Sequence, residues 1–314
     1  MAEAGTRAAL TRARSPLRAL SPTLGWETAA NVRLRYTHPA FGDISMSTGP
    51  RGFRRFDDTT ATKIRVLVIG DSFTEAAQVS DGEAFFDEIA RRLPGLGIFA
   101  HGTGGYGTLQ EVMILRRELD SIRPDVILWQ LSANDFVNND HFLESQSPLS
   151  SRMTRPYYED GTVEHRFAGS GAASRYSRLV RFIDARVAML RGHGFQAAGL
   201  DTEREKRPDA LQRSIRTTSD LMGMARASAG RTPIVAFLAE GDAYADSVFR
   251  ELSRVNGWHW IPGVIDSVAA ARAGGVKVDG LPRDGHWNSA GHAIAGRVIA
   301  PRLDSLIRSL RKED

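Results

Sequence analysis

Runs of consecutive apolar residues, separated by polar or glycine-containing stretches, recur along this chain of 314 residues. The first is the β-branched sequence IRVLVI, which ends at Gly70. Strands that are buried on both faces of a parallel sheet have this continuous apolar character. We therefore predict strands at residues 64–69, 97–100, 126–131 and 234–239, with 258–261 as a candidate fifth strand.

Segments with apolar residues at helical spacing lie between and after these runs. Glycine or proline follows several of them, as is usual where a helix ends. The spacing predicts helices at residues 83–93, 108–122, 176–190, 208–227 and 289–310. Because buried strands alternate with helices, we predict an α/β domain in which helices cover a parallel sheet.

Two parts of the chain lack this alternation. Residues 1–62 contain four prolines and scattered aromatic residues. They predict an extended N-terminal lead-in without regular elements, packed on or beside the main domain. We assign residues 63–314 to the main domain, with a polar insertion at about 138–175. Long polar loops of this kind often shape a binding mouth.

The composition is that of an ordinary globular protein, with 42% hydrophobic and 25% charged residues. The net charge of +4 is small, and its excess lies near the N-terminus, so the sequence does not predict nucleic-acid binding. The chain has no cysteine, which excludes disulfides, thiolate metal sites and a cysteine nucleophile. Any nucleophile is therefore an oxygen or nitrogen atom.

The first twenty residues alternate arginine with alanine and leucine and lack the apolar core of a signal peptide. No run approaches the roughly 18 apolar residues of a transmembrane helix. We therefore expect a cytoplasmic protein by default. The alternative is that an export segment is absent from this sequence, because an arginine-rich stub can remain beside a membrane anchor. The sequence does not determine the oligomeric state.

The first candidate for chemistry is Ser72, which follows Gly70 and Asp71 where a predicted strand ends and a helix begins. Such a turn presents a hydroxyl at the carboxyl edge of the sheet, where ligands bind in open α/β folds. The helix dipole and nearby N–H groups stabilise an alkoxide there. The same residues are also typical of a simple helix N-cap, so both interpretations are open at this point.

Gly-Asp-Ser directly after a strand resembles the first sequence block of the SGNH hydrolases, or GDSL-type esterases. The resemblance extends over residues 64–300, with the family's further blocks in the family's order. It implies a flavodoxin-like three-layer α/β/α sandwich with a central, mainly parallel five-stranded sheet. It also implies that Ser72 is the nucleophile of ester hydrolysis and that its N–H contributes to the oxyanion hole.

The glycine-rich segment at residues 100–107 is similar to the second block of the family, which supplies another N–H to the oxyanion hole. Ala100 replaces the asparagine that usually opens this block. The resemblance assigns the donor to Gly105, or to Gly104 if the alignment of the loop shifts by one residue.

The same loop matches the dinucleotide-binding pattern G-x-G-x-x-G through Gly102, Gly104 and Gly107. Asp135, after the next strand, occupies the nominal position of the acidic residue that binds the ribose. However, the loop follows the second strand instead of opening the fold, and a lone match is weak. A nicotinamide enzyme is therefore a minor alternative, and we predict no cofactor.

Ser132-Ala133-Asn134-Asp135 resembles the third block, usually Gly-x-Asn-Asp, with Ser132 in place of the glycine. The resemblance implies that the Asn134 amide is a further oxyanion donor. A donor of this type is worth about 3 to 4 kcal/mol in comparable sites. The alternative is that Asn134 and Asp135 only cap a turn. We assign a structural role to Asp135.

Asp284-Gly285-His286 precedes the last predicted helix and resembles the final block. The resemblance implies that His286 takes the Ser72 proton. The family's orienting carboxylate usually lies three residues before the histidine, where this chain has Arg283. We assign the third catalytic residue to Asp284, whose spacing is similar to that of SGNH-like polysaccharide O-acetyltransferases. A Ser–His dyad is the alternative.

A second histidine, His292, follows closely and is more typical of a surface or packing residue. By residue type alone, Asp284, His286 and His292 form a nominal metal set. No further ligands occur at convincing spacing, so we predict no metal.

The resemblance implies a serine esterase that hydrolyses short-chain acyl esters, with acetyl as the first expectation. The expected partner is a small-molecule or glycan ester, so the alcohol is a carbohydrate or another small alcohol. Two alternatives are open: a glycan O-acyltransferase with the same residues, and a non-catalytic carbohydrate-binding protein with the same fold. Specificity depends on variable loops, and the sequence does not identify the ester.

Overall fold

The computed structural model of the chain describes residues 16–62, 64–147, 150–169, 200–280 and 285–310. The strands in these ranges are β1 (Arg18–Ser21), β2 (Gly25–Thr28), β3 (Arg33–His38), β4 (Gly42–Ser47), β5 (Arg55–Phe56), β6 (Ile64–Gly70), β7 (Leu96–Gly102), β8 (Val126–Ser132), β9 (Thr154–Glu159), β10 (Thr162–Phe167), β11 (Ile234–Glu240) and β12 (His259–Trp260). The helices are α1 (Ser72–Glu75), α2 (Phe85–Arg92), α3 (Thr108–Ile122), α4 (Asn134–Asn138), α5 (His141–Gln146), α6 (Leu200–Lys206), α7 (Pro208–Ala229), α8 (Ala243–Val255), α9 (Val264–Ala273) and α10 (Ser289–Leu310).

Six of these strands form the central sheet, in the order β12-β11-β8-β6-β7-β5. The five predicted strands, β6, β7, β8, β11 and β12, are parallel to one another. Their spatial order is that of a flavodoxin-like fold, with the second parallel strand beside the first and the remaining three on the other side. The sixth strand, β5, comes from the lead-in and pairs antiparallel with β7.

The two faces of the sheet are covered by different helices. Leu67 and Ile69 of β6 belong to a core cluster shared with α3, α7 and α8. Val66 and Val68, which point to the other face, pack in a second cluster with α2, α9 and α10. Since successive strand residues face opposite sides of a sheet, a run that is apolar throughout has to be covered on both faces. This is the predicted three-layer α/β/α sandwich.

The lead-in differs from the prediction. Residues 16–62 contain regular elements, because β1 pairs with β2 and β3 pairs with β4 in two antiparallel hairpins. These strands are short and mix buried, half-buried and exposed residues, so they lack the continuous apolar pattern by which the core strands were recognised. Glycines with positive φ, Gly25 at 84° and Gly42 at 80°, provide the turns.

The described part of the insertion is also more regular than a polar loop. It contains α5 and the β9–β10 hairpin. Residues 170–175 and the predicted helix at 176–190 lie outside the described residues.

The sequence pattern also missed α8 and α9, whose buried positions are few and interspersed with polar residues.

The register of the strands brings their carboxyl ends together. Gly70 of β6 pairs with Gly102 of β7, and Ser132 of β8 pairs with Glu240 of β11. The loops that carry the predicted site residues therefore leave the sheet at one edge, which is the edge used for ligands in folds of this type.

Among the described helices, none is both long and apolar enough to cross a bilayer.

Candidate active site

Ser72 and His286 are in hydrogen-bond contact. Ser72 is the first residue of α1, and His286 lies in the loop before α10. The distance from Ser72 Oγ to His286 Nε2 is 2.9 Å, although 214 positions separate the two residues. This is the separation expected between a nucleophile and its general base. The two residues that the sequence assigned to proton transfer thus meet at the carboxyl edge of the sheet.

Gln130, a fully buried residue of β8, is hydrogen-bonded to the turn that carries Ser72. Its Oε1 accepts the Asp71 N–H at 3.1 Å and the Thr74 hydroxyl at 3.0 Å. Its Nε2 donates to Ser132 Oγ at 2.9 Å. Sequence reasoning missed this residue. The available signal was one amide within an otherwise apolar strand, because a buried amide is costly unless it is hydrogen-bonded.

The ring of His286 packs beside Phe73, the residue that follows the nucleophile. Their ring centroids lie 5.3 Å apart, and Phe73 also contacts Trp287 edge-on at 4.8 Å. The aromatic contacts limit the positions open to the imidazole. Asp284, the predicted orienting carboxylate, lies outside the described residues. Its role therefore stays a prediction.

The glycine loop (residues 103–107) connects β7 to α3 and lies beside the nucleophile. A Cβ atom added to Gly104 would lie 3.4 Å from Ser72 Cβ. Gly105 has a φ of 79°, a conformation that favours glycine. Arg18 Nη1 donates to the Gly104 carbonyl at 2.7 Å, and Arg155 Nη1 donates to the Gly105 carbonyl at 2.9 Å. Both candidate oxyanion glycines are therefore fixed in place by arginines from outside the α/β layers.

Close packing explains the glycines that resemble a dinucleotide-binding motif. A Cβ atom on Gly102 would lie 2.3 Å from the Glu75 N atom, and one on Gly104 would lie 2.8 Å from Glu75 Oε2. Glycine is needed here because α1 approaches the loop closely. Asp135, the nominal ribose ligand, is buried, and its Oδ2 accepts the Ser132 N–H at 2.9 Å. These contacts give the residues structural roles.

Asn134 begins α4 at the carboxyl end of β8, as the sequence indicated. Its Nδ2 donates to Asp71 Oδ2 at 3.3 Å. Asp71 Oδ1 accepts the Phe73 N–H at 3.2 Å and so caps α1. One carboxylate thus contacts both the nucleophile's helix and the predicted oxyanion amide.

A cavity of about 550 Å³ opens at this edge of the sheet. Its lining includes all the predicted site residues that the structure describes: Ser72, Gly104, Gly105, Asn134 and His286. An apolar part of the lining comes from Ala133, Val137 and Met153, and a polar part from Arg18, His38, Glu75 and Gln78. The lead-in and the insertion therefore both contribute to the cavity.

Two buried carboxyl groups lie behind the site. Burial raises the pKa of both Glu111 and Asp135 well above the usual range, and the negative charge of Asp71 adds to the effect. Glu111 Oε2 accepts the Trp129 indole N–H at 2.6 Å. Both acids accept hydrogen bonds from residues of β8, and neither lines the cavity.

His292 is a packing residue and not a surface residue. Its side chain is 1% exposed, its Nδ1 accepts the Phe85 N–H at 3.2 Å, and its ring stacks with that of Phe85. Burial lowers its pKa to about 3. In the described part of the chain, no group of three or more histidine and carboxylate side chains is arranged to hold a metal ion.

Neither a protein family nor a curated protein matches this chain. Solved structures do match it. They include a lipolytic G-D-S-L family protein from Veillonella parvula DSM 2008 (11% identity, 75% of this chain and 95% of that one, TM-score 0.42). Others are a lipase/acylhydrolase from Enterococcus faecalis (12%, 77% and 96%, 0.43) and an acetylxylan esterase mutant from Geobacillus stearothermophilus (9%, 76% and 93%, 0.42).

Proposed function

We propose that this protein is a serine ester hydrolase of the SGNH kind that works through an acyl-enzyme intermediate. The observation that carries the proposal is the 2.9 Å contact between Ser72 Oγ and His286 Nε2. It is supported by the position of both residues in one cavity with Gly104, Gly105 and Asn134.

In the first half-reaction, Ser72 Oγ bonds to the ester carbonyl carbon and its proton passes to His286 Nε2. The carbonyl oxygen becomes an oxyanion. When the tetrahedral intermediate collapses, the bond to the alcohol oxygen breaks and His286 returns the proton to that oxygen. In the second half-reaction water attacks the acyl-enzyme, again with His286 as base, and releases the carboxylic acid and free Ser72.

Three donors stabilise the oxyanion in this mechanism: the N–H groups of Ser72 and Gly105 and the amide of Asn134. Gly104 is the alternative to Gly105. The hydrogen bond from Asn134 to Asp71 supports this assignment, because it holds the amide nitrogen at the cavity with one of its two hydrogens, and the other hydrogen is the one that donates to the oxyanion. Asp284 orients His286 through Nδ1 and stabilises the imidazolium that forms.

We assign a short acyl group, acetyl first, and a carbohydrate or other small alcohol as the two halves of the substrate. The cavity volume of about 550 Å³ is in the range of small-molecule sites. The apolar lining at Ala133, Val137 and Met153 suits the acyl group, whereas the polar lining at His38 and Gln78 suits a hydroxylated alcohol.

Labelling with a fluorophosphonate, followed by mapping of the modified peptide, tests the nucleophile. We expect modification of Ser72, and loss of both labelling and 4-nitrophenyl acetate turnover in Ser72→Ala. Ser80→Ala is a matched control, since the Ser80 hydroxyl accepts the Ser45 N–H in a turn outside the cavity. Labelling at another residue, or full turnover by Ser72→Ala, would refute the proposal.

A series of 4-nitrophenyl esters tests the acyl group. We expect kcat/KM to fall from acetate to butyrate to octanoate, and Met153→Ala to reduce this discrimination by removing part of the apolar lining. A preference for octanoate in the unmodified protein would contradict the short-acyl assignment while leaving the nucleophile intact.

A further inference from the structure

The guanidinium group of Arg18 connects the N-terminal hairpin (β1–β2) to two parts of the candidate site, the helix of the nucleophile and the glycine loop. Arg18 Nη1 donates to the Gly104 carbonyl at 2.7 Å, and Arg18 Nη2 donates to Glu75 Oε2 at 3.0 Å. Glu75 is the last residue of α1, the helix that begins with Ser72, and its side chain is 5% exposed. Arg18 thus bonds simultaneously to the nucleophile's helix and to the glycine loop.

Trp26 in the same hairpin reaches the same carbonyl. Its indole N–H donates to the Gly104 oxygen at 3.2 Å, and the residue is 2% exposed. The Tyr106 hydroxyl donates to the Trp26 carbonyl at 2.6 Å, and the guanidinium of Arg155 lies 5.3 Å from the centre of the Trp26 ring. The backbone and the indole of Trp26 are therefore both held in place.

These contacts determine the orientation of one peptide group. The Gly104 carbonyl and the Gly105 N–H belong to the same planar trans peptide, so the two point in opposite directions. Donors that hold the carbonyl on the hairpin side therefore direct the Gly105 N–H away from the hairpin. A cationic donor on the carbonyl also polarises the peptide, which makes its N–H a stronger donor.

We propose that Arg18 and Trp26 are positioning residues that orient and polarise the Gly105 N–H for the oxyanion. This inference rests on the proposed esterase function and adds to it a requirement for the N-terminal hairpin. Neither residue touches the reacting atoms in this mechanism. Since the Arg18 charge is paired with Glu75, we do not assign Arg18 to an anionic part of the substrate.

The test uses the full-length protein and steady-state kinetics with 4-nitrophenyl acetate. Trp26→Phe keeps an aromatic side chain but removes the indole N–H donor, so we expect kcat to fall by about 2- to 10-fold. Arg18→Leu removes the cation and should lower kcat by roughly 10- to 100-fold. Arg18→Lys keeps the charge and should recover part of this loss. KM should change less than twofold throughout.

Glu27→Ala is the matched control. Glu27 lies beside Trp26 in β2 and anchors the hairpin to Arg117 at 2.9 Å, with no contact to the glycine loop among its hydrogen bonds. We expect it to keep kcat even if the melting temperature falls. A second readout is the affinity for a trifluoromethyl ketone, which forms a tetrahedral adduct; it should weaken in parallel with kcat for the Arg18 and Trp26 variants.

Three results would overturn the inference while Ser72 is labelled normally: unchanged kcat in both Trp26→Phe and Arg18→Leu, an effect confined to KM, or an equal loss of kcat in Glu27→Ala. Failure of the esterase proposal itself looks different, because Ser72 would then not be labelled in the unmodified protein.

Discussion

Asn134 and Asp71 are joined by a side-chain hydrogen bond of 3.3 Å, although 63 positions separate them. The same carboxylate accepts the Phe73 N–H and caps the helix of the nucleophile. A carboxylate only accepts hydrogen bonds, so it selects the orientation of Asn134 in which the nitrogen faces it. Asp71 therefore couples the orientation of the Asn134 amide to the position of the Ser72 turn.

Replacing Asp71 by asparagine should disturb this amide while preserving the helix cap. The new side chain can still accept the Phe73 N–H, but its NH2 group then faces Asn134 and favours the flipped amide. We expect kcat for 4-nitrophenyl acetate to fall by up to about 100-fold with little change in KM. Asp125→Asn is the control, because Asp125 accepts the Arg65 N–H at 2.7 Å at the opposite edge of the sheet. Equal kcat values for the two variants would contradict the role of Asp71.

Gly105→Ala should cost both stability and activity. Its φ of 79° costs an alanine about 1 to 2 kcal/mol, although the added Cβ meets only Trp26, at 3.6 Å. Gly42→Ala provides the matched control, with a φ of 80° and nothing within 4 Å of its Cβ position. Urea unfolding should show similar losses for both, whereas kcat should fall only in Gly105→Ala. An unchanged kcat there would favour Gly104 as the donor.

Arg155→Met should be strongly destabilising. Arg155 and Glu144 form an ion pair of 3.1 Å in which both side chains are 1% exposed. Removing one partner leaves a buried charge without compensation, which typically costs about 3 to 5 kcal/mol. In the next strand, Arg166 pairs with Glu164 at 2.6 Å near the surface. Arg166→Met should cost less than about 1 kcal/mol in the same urea measurement. Similar losses for the two variants would show that burial does not determine the energy of the Arg155 pair.

Acid should destabilise the protein partly through His292. Its pKa is about 3 in the folded chain, against 6.5 for an unperturbed histidine, because burial penalises the charged ring. Unfolding therefore takes up a proton between these values, and the stability that the neutral ring contributes is lost as the pH falls from about 6.5 towards 3. His292→Asn keeps an acceptor for the Phe85 N–H and cannot titrate. Over this pH window, we expect the unfolding free energy of the variant to fall by at least about 1 kcal/mol less than that of the unmodified protein. Parallel curves for the two proteins would contradict the assignment.

The central sheet was predictable because burial on both faces leaves a strong local signal. The run at 64–69 corresponds to β6, and the helix predicted at 108–122 has the bounds of α3. The two hairpins of the lead-in left no such signal, since their strands are short and only partly buried and their pairing depends on turns.

The candidate site likewise has one part that local sequence patterns indicate and another part that they do not. Ser72, Asn134 and His286 were recognisable because each follows a predicted strand or precedes a predicted helix in a family-like block. The hydrogen bonds of Arg18 and Trp26 to the Gly104 carbonyl were not recognisable, because they join residues that are 86 and 78 positions apart in the chain. Such contacts depend on tertiary packing that no local pattern records. The assignment of Asp284 is still a prediction.

In the described part of the chain, the sheet ends on both sides in a two-residue strand, β12 on one side and β5 on the other. A long unpaired edge is a template for association with another chain, and very short edge strands are one natural protection against it. A shortened protein that began at Ile64 would lose β5 and leave Phe99 and Ala100 of β7 without their strand partners. We therefore expect such a truncation to aggregate more readily than a protein that retains Arg55 and Phe56, even where the α/β layers still form.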